Sequence, residues 1–307
     1  MSIVDLHSSI FSPKDVIAHL KTNRPCVVRN FLSTENIQHY VNHINTTKII
    51  SYKIGTISSN YMKNTEIHKE KNEYLELYKN DPDLIQCDRI RIWKHNKNNL
   101  TPWHYDGNGT DLLNICLQGR KRFYLSPPLS FPVYPFTNVS IHYDFKEKYN
   151  VEIGPGDMLF LPAYWFHKVI TLENNSLNIN YALFNKHNSQ FAPKRDQELY
   201  GLHNLFNTTM DPEILSLYKH VPLEKCILRG SIEMFHLVVL LCIVFAIAKL
   251  YKKVWIMPIV YYVLFMVGVY IYTNKNLHYD TCGMSKLYGI FTIYITIVFS
   301  ILYFWLN

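Results

Sequence analysis

The sequence predicts a mainly β fold, a barrel or sandwich with flanking helices, followed by an apolar helical tail. Three observations carry this. Between Arg89 and Phe184 seven short runs rich in β-branched and aromatic residues follow one another, bounded by Gly, Pro or Asn. Helical patterning lies on both sides of them. From Ile232 onward the chain becomes strongly apolar.

Taken in order, Ser12 is placed to cap a helix that Pro13 opens, because proline presets the first helical φ and its missing N–H costs nothing there. Arg24–Phe31 reads as a short buried strand, and Ser33-Thr34-Glu35 starts a second helix. Residues 64–84 read as a charged, exposed helix. The strand runs are Arg89–Lys94, Thr101–Asp106, Asp111–Gln118, Lys121–Ser126, Asp157–Leu161, His167–Leu172 and Ser176–Phe184, with residues 127–150 as a Pro/Tyr-rich insertion. Residues 195–228 turn helical again.

Three apolar runs follow: Ile232–Ala248 of 17 residues, and Val254–Thr273 and Leu287–Leu306 of 20 residues each, the last two without charge. A bilayer core needs about 20 apolar residues per helix. The tail is therefore expected to be an integral membrane anchor with lipid as a partner, in an internal membrane such as the endoplasmic reticulum. Met1–His7 has no basic segment leading into an apolar stretch, so the part before the tail is expected to stay cytosolic. The expected domains are 1–200 (catalytic), 201–230 (a helical juxtamembrane segment) and 231–307 (the tail). Residues 1–231 carry 26 Lys and Arg against 22 Asp and Glu, too mild a surplus to argue for nucleic acid alone. Six cysteines without a CxxC spacing fit a reducing compartment.

One cluster carries chemistry. In Thr101-Pro102-Trp103-His104-Tyr105-Asp106, strand alternation turns His104 and Asp106 to one side, where both can grip one metal ion. His167 follows Gly156-Asp157-Met158-Leu159-Phe160-Leu161-Pro162. Two histidines and one carboxylate make the facial triad of non-haem Fe(II) sites, with open positions for other ligands. Strand parity also puts Asn114 on one face with Cys116, and Asn178 with Asn180, while aliphatic residues take the other face. A polar interior beneath outer helices and asparagines in solvent both fit that pattern. His95, His142 and His187 have no partner at ligand spacing.

These blocks, with Arg24–Phe31 and Gln118-Gly119-Arg120-Lys121-Arg122-Phe123-Tyr124-Leu125, resemble the JmjC/cupin-like family of Fe(II)- and 2-oxoglutarate-dependent oxygenases across residues 10–200. The resemblance implies a double-stranded β-helix (jelly-roll) barrel. It implies His104, Asp106 and His167 as iron ligands, Lys121 and Thr101 at the distal carboxylate of 2-oxoglutarate, Asn114 beside the co-substrate and Asn180 on the last barrel strand. Trp103, Trp165 and Phe166 are expected in the apolar wall. The implied reaction consumes Fe(II)-activated O2 and 2-oxoglutarate and hydroxylates a protein side chain. Hydroxylation of a tRNA base is the alternative, on the likeness of Trp165–Val169 and Leu199-Tyr200-Gly201 to a wybutosine-tRNA hydroxylase. A catalytically inactive interaction protein is the third reading.

Overall fold

The computed structural model describes residues 4–7, 13–46, 50–54, 57–63, 84–106, 110–128, 133, 140, 149–205, 220–250, 257–273 and 284–306. Two compact units divide the chain. One holds 1–131 with 142–192, the other 132–141 with 193–307.

The first unit is mainly β. Its strands are β1 (Val4–His7), β2 (Cys26–Arg29), β3 (Ile50–Ile54), β4 (Ile57–Lys63), β5 (Leu84–His95), β6 (Leu100–His104), β7 (Thr110–Gln118), β8 (Lys121–Ser126), β9 (Tyr149–Ile153), β10 (Met158–Leu161), β11 (Phe166–Thr171) and β12 (Ser176–Asn185). They form an eight-stranded sheet in the order β1-β2-β10-β7-β12-β5-β4-β3 and a four-stranded sheet in the order β6-β11-β8-β9. The β1–β2 pair is parallel and the other pairings are antiparallel.

Side-chain alternation sorts the large sheet into two faces, as the sequence predicts. Leu113, Ile115, Leu117, Leu177, Ile179 and Tyr181 form one buried cluster with Tyr40 and Ile44 of α2 (Thr34–Thr46). That helix starts where expected: Ser33 Oγ accepts from Asn36 N at 3.2 Å, supplying a partner to an otherwise free N–H of the first turn. α1 (Pro13–Thr22) opens on Pro13. On the opposite face, Leu112, Cys116, Leu159 and Leu161 meet Phe123, Leu125, Val151 and Ile153 of the small sheet in a second buried cluster. The two sheets therefore face each other across a filled core, and Asn114, Asn178 and Asn180 are buried on that inner side.

Sequence patterning missed four strands. β1 pairs only at its edge with β2. β3 and β4 carry Ser, Asn and Lys among their apolar residues. β9 lies at the end of the 127–150 insertion, where Tyr149–Ile153 pairs with β8. β5 is longer than expected, because β12 pairs with it as far back as Leu84. The helix expected over 64–84 falls almost wholly outside the described residues.

Gly119 sets how the chain turns from β7 into β8. Its φ is +73°, and a Cβ there would clash with Ser176 Oγ and lie 2.9 Å from the Ser176 Cα. Only glycine fits both the backbone and the space.

The second unit is helical: α3 (Lys194–Leu205), α4 (Leu223–Leu250), α5 (Met257–Thr273) and α6 (Met284–Leu306). The predicted membrane tail needs correction. Among the described residues no helix is long and apolar enough to cross a membrane. The 232–248 run is part of α4, whose amino-terminal half is charged and pinned to α3. Arg229 Nε donates to Glu198 Oε2 at 2.7 Å, and Arg195 Nε and Nη2 donate to the Glu233 carboxylate at 2.7 and 2.8 Å. The 254–273 run gives α5 of 17 residues, roughly 26 Å at 1.5 Å per residue against a hydrocarbon core of about 30 Å. The 287–306 run lies in α6, which buries Phe291, Thr292, Ile295 and Thr296. It packs on α5 where Gly268 leaves room for Gly289 and Ile293. Membrane spans, lipid as a partner and integral-membrane localisation accordingly lose their support.

Gly119→Ala should lower stability by about 1–3 kcal/mol from backbone strain alone, read as a fall of several degrees in the thermal unfolding midpoint. Arg120→Ala, an exposed neighbour, should leave the midpoint nearly unchanged.

Candidate metal centre

Pairing of β6 with β11 places His167 directly opposite His104. The two rings lie 4.1 Å apart between centroids. Asp106 joins them by a route that strand alternation does not supply, since β6 ends at His104. Asp106 is instead fixed from its backbone: Tyr164 N donates to the Asp106 carbonyl at 3.0 Å. Tyr164 itself sits at φ +66°, an uncommon backbone state for a bulky side chain that points to a functional constraint. One ligand atom from each of His104, Asp106 and His167 falls within 4.8 Å of the others.

The donor set fits a divalent metal. His104 Nδ1 lies 2.8 Å from the Pro102 carbonyl, and His167 Nδ1 lies 3.0 Å from the Trp165 carbonyl. A carbonyl only accepts, so each Nδ1 carries the hydrogen and each Nε2 lone pair is left for a metal. His167 Nε2 stands 3.6 Å from Asp106 Oδ2, and that buried oxygen has no hydrogen-bond partner. Burial, with help from His104 and against the pull of Asp106, lowers the His167 pKa to about 4. The imidazole is therefore neutral at pH 7, as ligation requires.

Two aromatic expectations change. Trp103 and Phe166 sit one residue before His104 and His167, and alternation turns them away from those rings. Trp103 packs under the Lys168 ammonium, 5.5 Å from its ring centroid, and Phe166 packs edge-on against Tyr105. Only Trp165 belongs to the core between the sheets.

The residues expected around a co-substrate fall into two groups. Asn114, Asn178 and Asn180 stand side by side on β7 and β12. Asn178 Nδ2 donates to Asn114 Oδ1 at 2.8 Å, and Asn180, with its amide oxygen turned toward Trp93, accepts from Trp93 Nε1 at 3.1 Å. Lys121 lies on the small sheet, on the face of Phe123, Leu125 and His167. Thr101 shares that face, paired with Val169. Lys121 is 3% exposed and its Nζ lies 3.2 Å from His95 Nδ1. Burial brings its pKa down to about 7.

Sequence reasoning missed His95 and a buried polar knot behind the centre. Asp111 Oδ1 accepts from Ala163 N at 2.8 Å and from Asn188 Nδ2 at 2.7 Å, and Oδ2 accepts from Asn185 Nδ2 at 3.1 Å. Asn23 Oδ1 accepts from Trp165 Nε1 at 2.8 Å. This knot fixes the Pro162–Trp165 turn that delivers His167. Burial raises the Asp111 pKa to about 7 despite its three hydrogen bonds. An aspartate directly before the buried Leu112–Leu113 pair of β7 was the available signal.

The cupin-like domain family matches residues 136–187, a stretch that contains His167 but not His104 or Asp106. The arginine-specific demethylase JMJ20 of Arabidopsis thaliana is 28% identical over 146 residues, which span 42% of this chain and 30% of that protein. The HSPB1-associated protein 1 of Homo sapiens is 29% identical over 109 residues, spanning 29% of this chain and 22% of that protein. The chain resembles the JmjC/cupin-like family. It spans less than a third of the length of these curated relatives. Among solved structures, E. coli YcfD, described as a ribosomal oxygenase in complex with cobalt and 2-oxoglutarate, aligns with a TM-score of 0.38 at 17% identity. That alignment covers 68% of this chain and 59% of that one. A 2OG-Fe(II) oxygenase-family protein from Burkholderia pseudomallei aligns with a TM-score of 0.43 at 10% identity, over 60% of this chain and 96% of that one. tRNA as an alternative substrate gains no support from these relatives.

Asp106→Ala and His167→Ala should each weaken Mn(II) or Co(II) binding by at least about a hundredfold, read by calorimetric titration, since each removes a direct ligand where loss of a supporting contact alone costs about ten- to a hundredfold. In the metal-free protein the buried neutral His167 opposes stability in acid. The unfolded chain binds a proton below pH 6.5 and the folded one only near pH 4, so stability falls across that window as pH drops. His167→Gln should remove this part of the acid slope in unfolding midpoint against pH.

Proposed function

We propose that the protein is an Fe(II)- and 2-oxoglutarate-dependent dioxygenase that hydroxylates a C–H bond on a protein side chain. The observation that carries this is the convergence of two Nε2 lone pairs and one unpartnered carboxylate oxygen on one point of a filled β core. Such a facial arrangement leaves neighbouring coordination positions open for a co-substrate and O2. In this reading residues 1–200 are the catalytic domain; every described strand ends by Asn185.

Each residue then has a separate task. His104, Asp106 and His167 would hold the metal, which when bound supplies oxidation of 2-oxoglutarate coupled to O2 activation. Lys121 forms a charge-assisted hydrogen bond to the distal carboxylate of the co-substrate, with the Thr101 hydroxyl on the same face. Asn114 and Asn180 present amides from the opposing sheet, fixed by Asn178 and Trp93. Phe123, Leu125, Leu159 and Trp165 keep bulk water from the core side. JMJ20 is described as an arginine-specific demethylase, and this supports a protein side chain as the target class.

The purified chain, supplied with Fe(II), 2-oxoglutarate and O2, should form succinate even without a prime substrate. Asp106→Ala should abolish it. Lys121→Ala should raise KM for 2-oxoglutarate by about ten- to a hundredfold, the value of a charged hydrogen bond. No succinate above a metal-free control, together with no metal binding, would leave the inactive interaction protein as the better reading. If a methylated side chain is the target, mass spectrometry should show loss of the methyl group; otherwise it should show gain of one oxygen atom.

A further inference from the structure

Lys121 is an unusual lysine. It lies on β8 inside the core, and among the described residues its nitrogen meets an imidazole instead of a carboxylate. His95, at the end of β5, is itself 6% exposed. Its Nδ1 takes the contact with Lys121 and its Nε2 is buried without a hydrogen-bond partner. Ser176 of β12 lies opposite His95 in register and close against Gly119, two residues before Lys121.

The other groups around Lys121 do not neutralise it. Across the sheet lie Thr171 of β11 and Ile153 of β9. From β7 comes the Cys116 thiol, donating to the Gly119 carbonyl at 3.3 Å, and burial pushes its pKa up to about 12. The imidazole is the neighbour that contacts Nζ, and burial beside Lys121 pushes its pKa down to about 3. A buried cation with no counter-ion is costly, whereas a neutral amine hydrogen-bonded to a neutral imidazole is not.

We infer that His95 positions Lys121 for a dicarboxylate, and that the Lys121–His95 pair takes up one proton from solvent when the dicarboxylate enters. This rests on reading the site as one for 2-oxoglutarate. In the empty site the Lys121 amine leans on His95 Nδ1. Arrival of the carboxylate supplies the missing negative charge, and Nζ gains a proton from solvent to become an ammonium. One N–H stays on Nδ1, which leaves the others for the ligand. His95 acts through Lys121 and is a positioning residue.

The test is calorimetric titration of 2-oxoglutarate into the Mn(II)-loaded protein, in buffers of different ionisation enthalpy. Uptake should approach one proton per ligand at about pH 8 and nearly vanish at about pH 6, with affinity falling about tenfold per pH unit above about 7. His95→Leu should weaken 2-oxoglutarate by about tenfold or more while Mn(II) affinity stays unchanged. His95→Gln, which keeps an acceptor for Nζ, should bring affinity back to within about threefold of the parent. Wild-type binding without proton uptake at about pH 8, or His95→Leu binding as tightly as the parent, overturns this inference and leaves the functional reading standing. Failure of the wild-type protein to bind 2-oxoglutarate at all overturns both.

Discussion

The β6–β11 pairing is the constraint on which the site depends. It sets His104 against His167 in register, and everything else at the centre is referred to that line. The pairing alone gives two imidazoles. The carboxylate is added by the chain beyond β6, drawn in by one backbone hydrogen bond from Tyr164. Tyr164 can reach it because the Pro162–Trp165 turn is tied down twice, by Asp111 through Ala163 N and by Asn23 through the Trp165 indole. The polar knot behind the centre and the triad in front of it are two ends of one short segment. A slip of one residue in β11 would send His167 to the Trp103 side of the sheet and dissolve the site.

Electrostatics complement this geometry. The core between the sheets holds three lone-pair donors at one place and a buried lysine at another, with amides across from them. The buried His167 is kept neutral by burial, and the lysine is kept near its point of neutrality by the same cause. In the proposed reading a cation and a dicarboxylate together satisfy these groups. That demand is what separates this centre from a structural polar cluster such as Asp111 with its asparagines, where every charge already has partners.

Much of this was legible in the sequence because the pleat has a period of two. Leu113, Ile115 and Leu117 announced a face for α2 to cover, and Asn114 and Cys116 announced the opposite one. His104, Asp106, His167 and Lys121 were legible through local motifs that travel with their turns: Gly119 ahead of Lys121, and Gly156-Asp157 ahead of β10. Asp106 was found for a partly wrong reason, since its placement comes from Tyr164 and not from continued strand alternation. His95 was invisible because its partner, Lys121, is 26 residues away in the chain and lies on a strand of the other sheet. The apolar tail misled because hydropathy counts residues along the chain. It does not register that α4 begins as a charged helix locked to α3, that α5 is short, or that α6 buries one of its faces.

The central claim, that this triad binds Fe(II) and presents it to a 2-oxo acid, is tested most directly by anaerobic absorption spectroscopy of the Fe(II)-loaded protein. Adding 2-oxoglutarate should produce a visible metal-to-ligand charge-transfer band that saturates with one equivalent of ligand site and is missing from Asp106→Ala. Iron bound to the triad with no band at saturating 2-oxoglutarate, or an undiminished band in Asp106→Ala, would contradict the account.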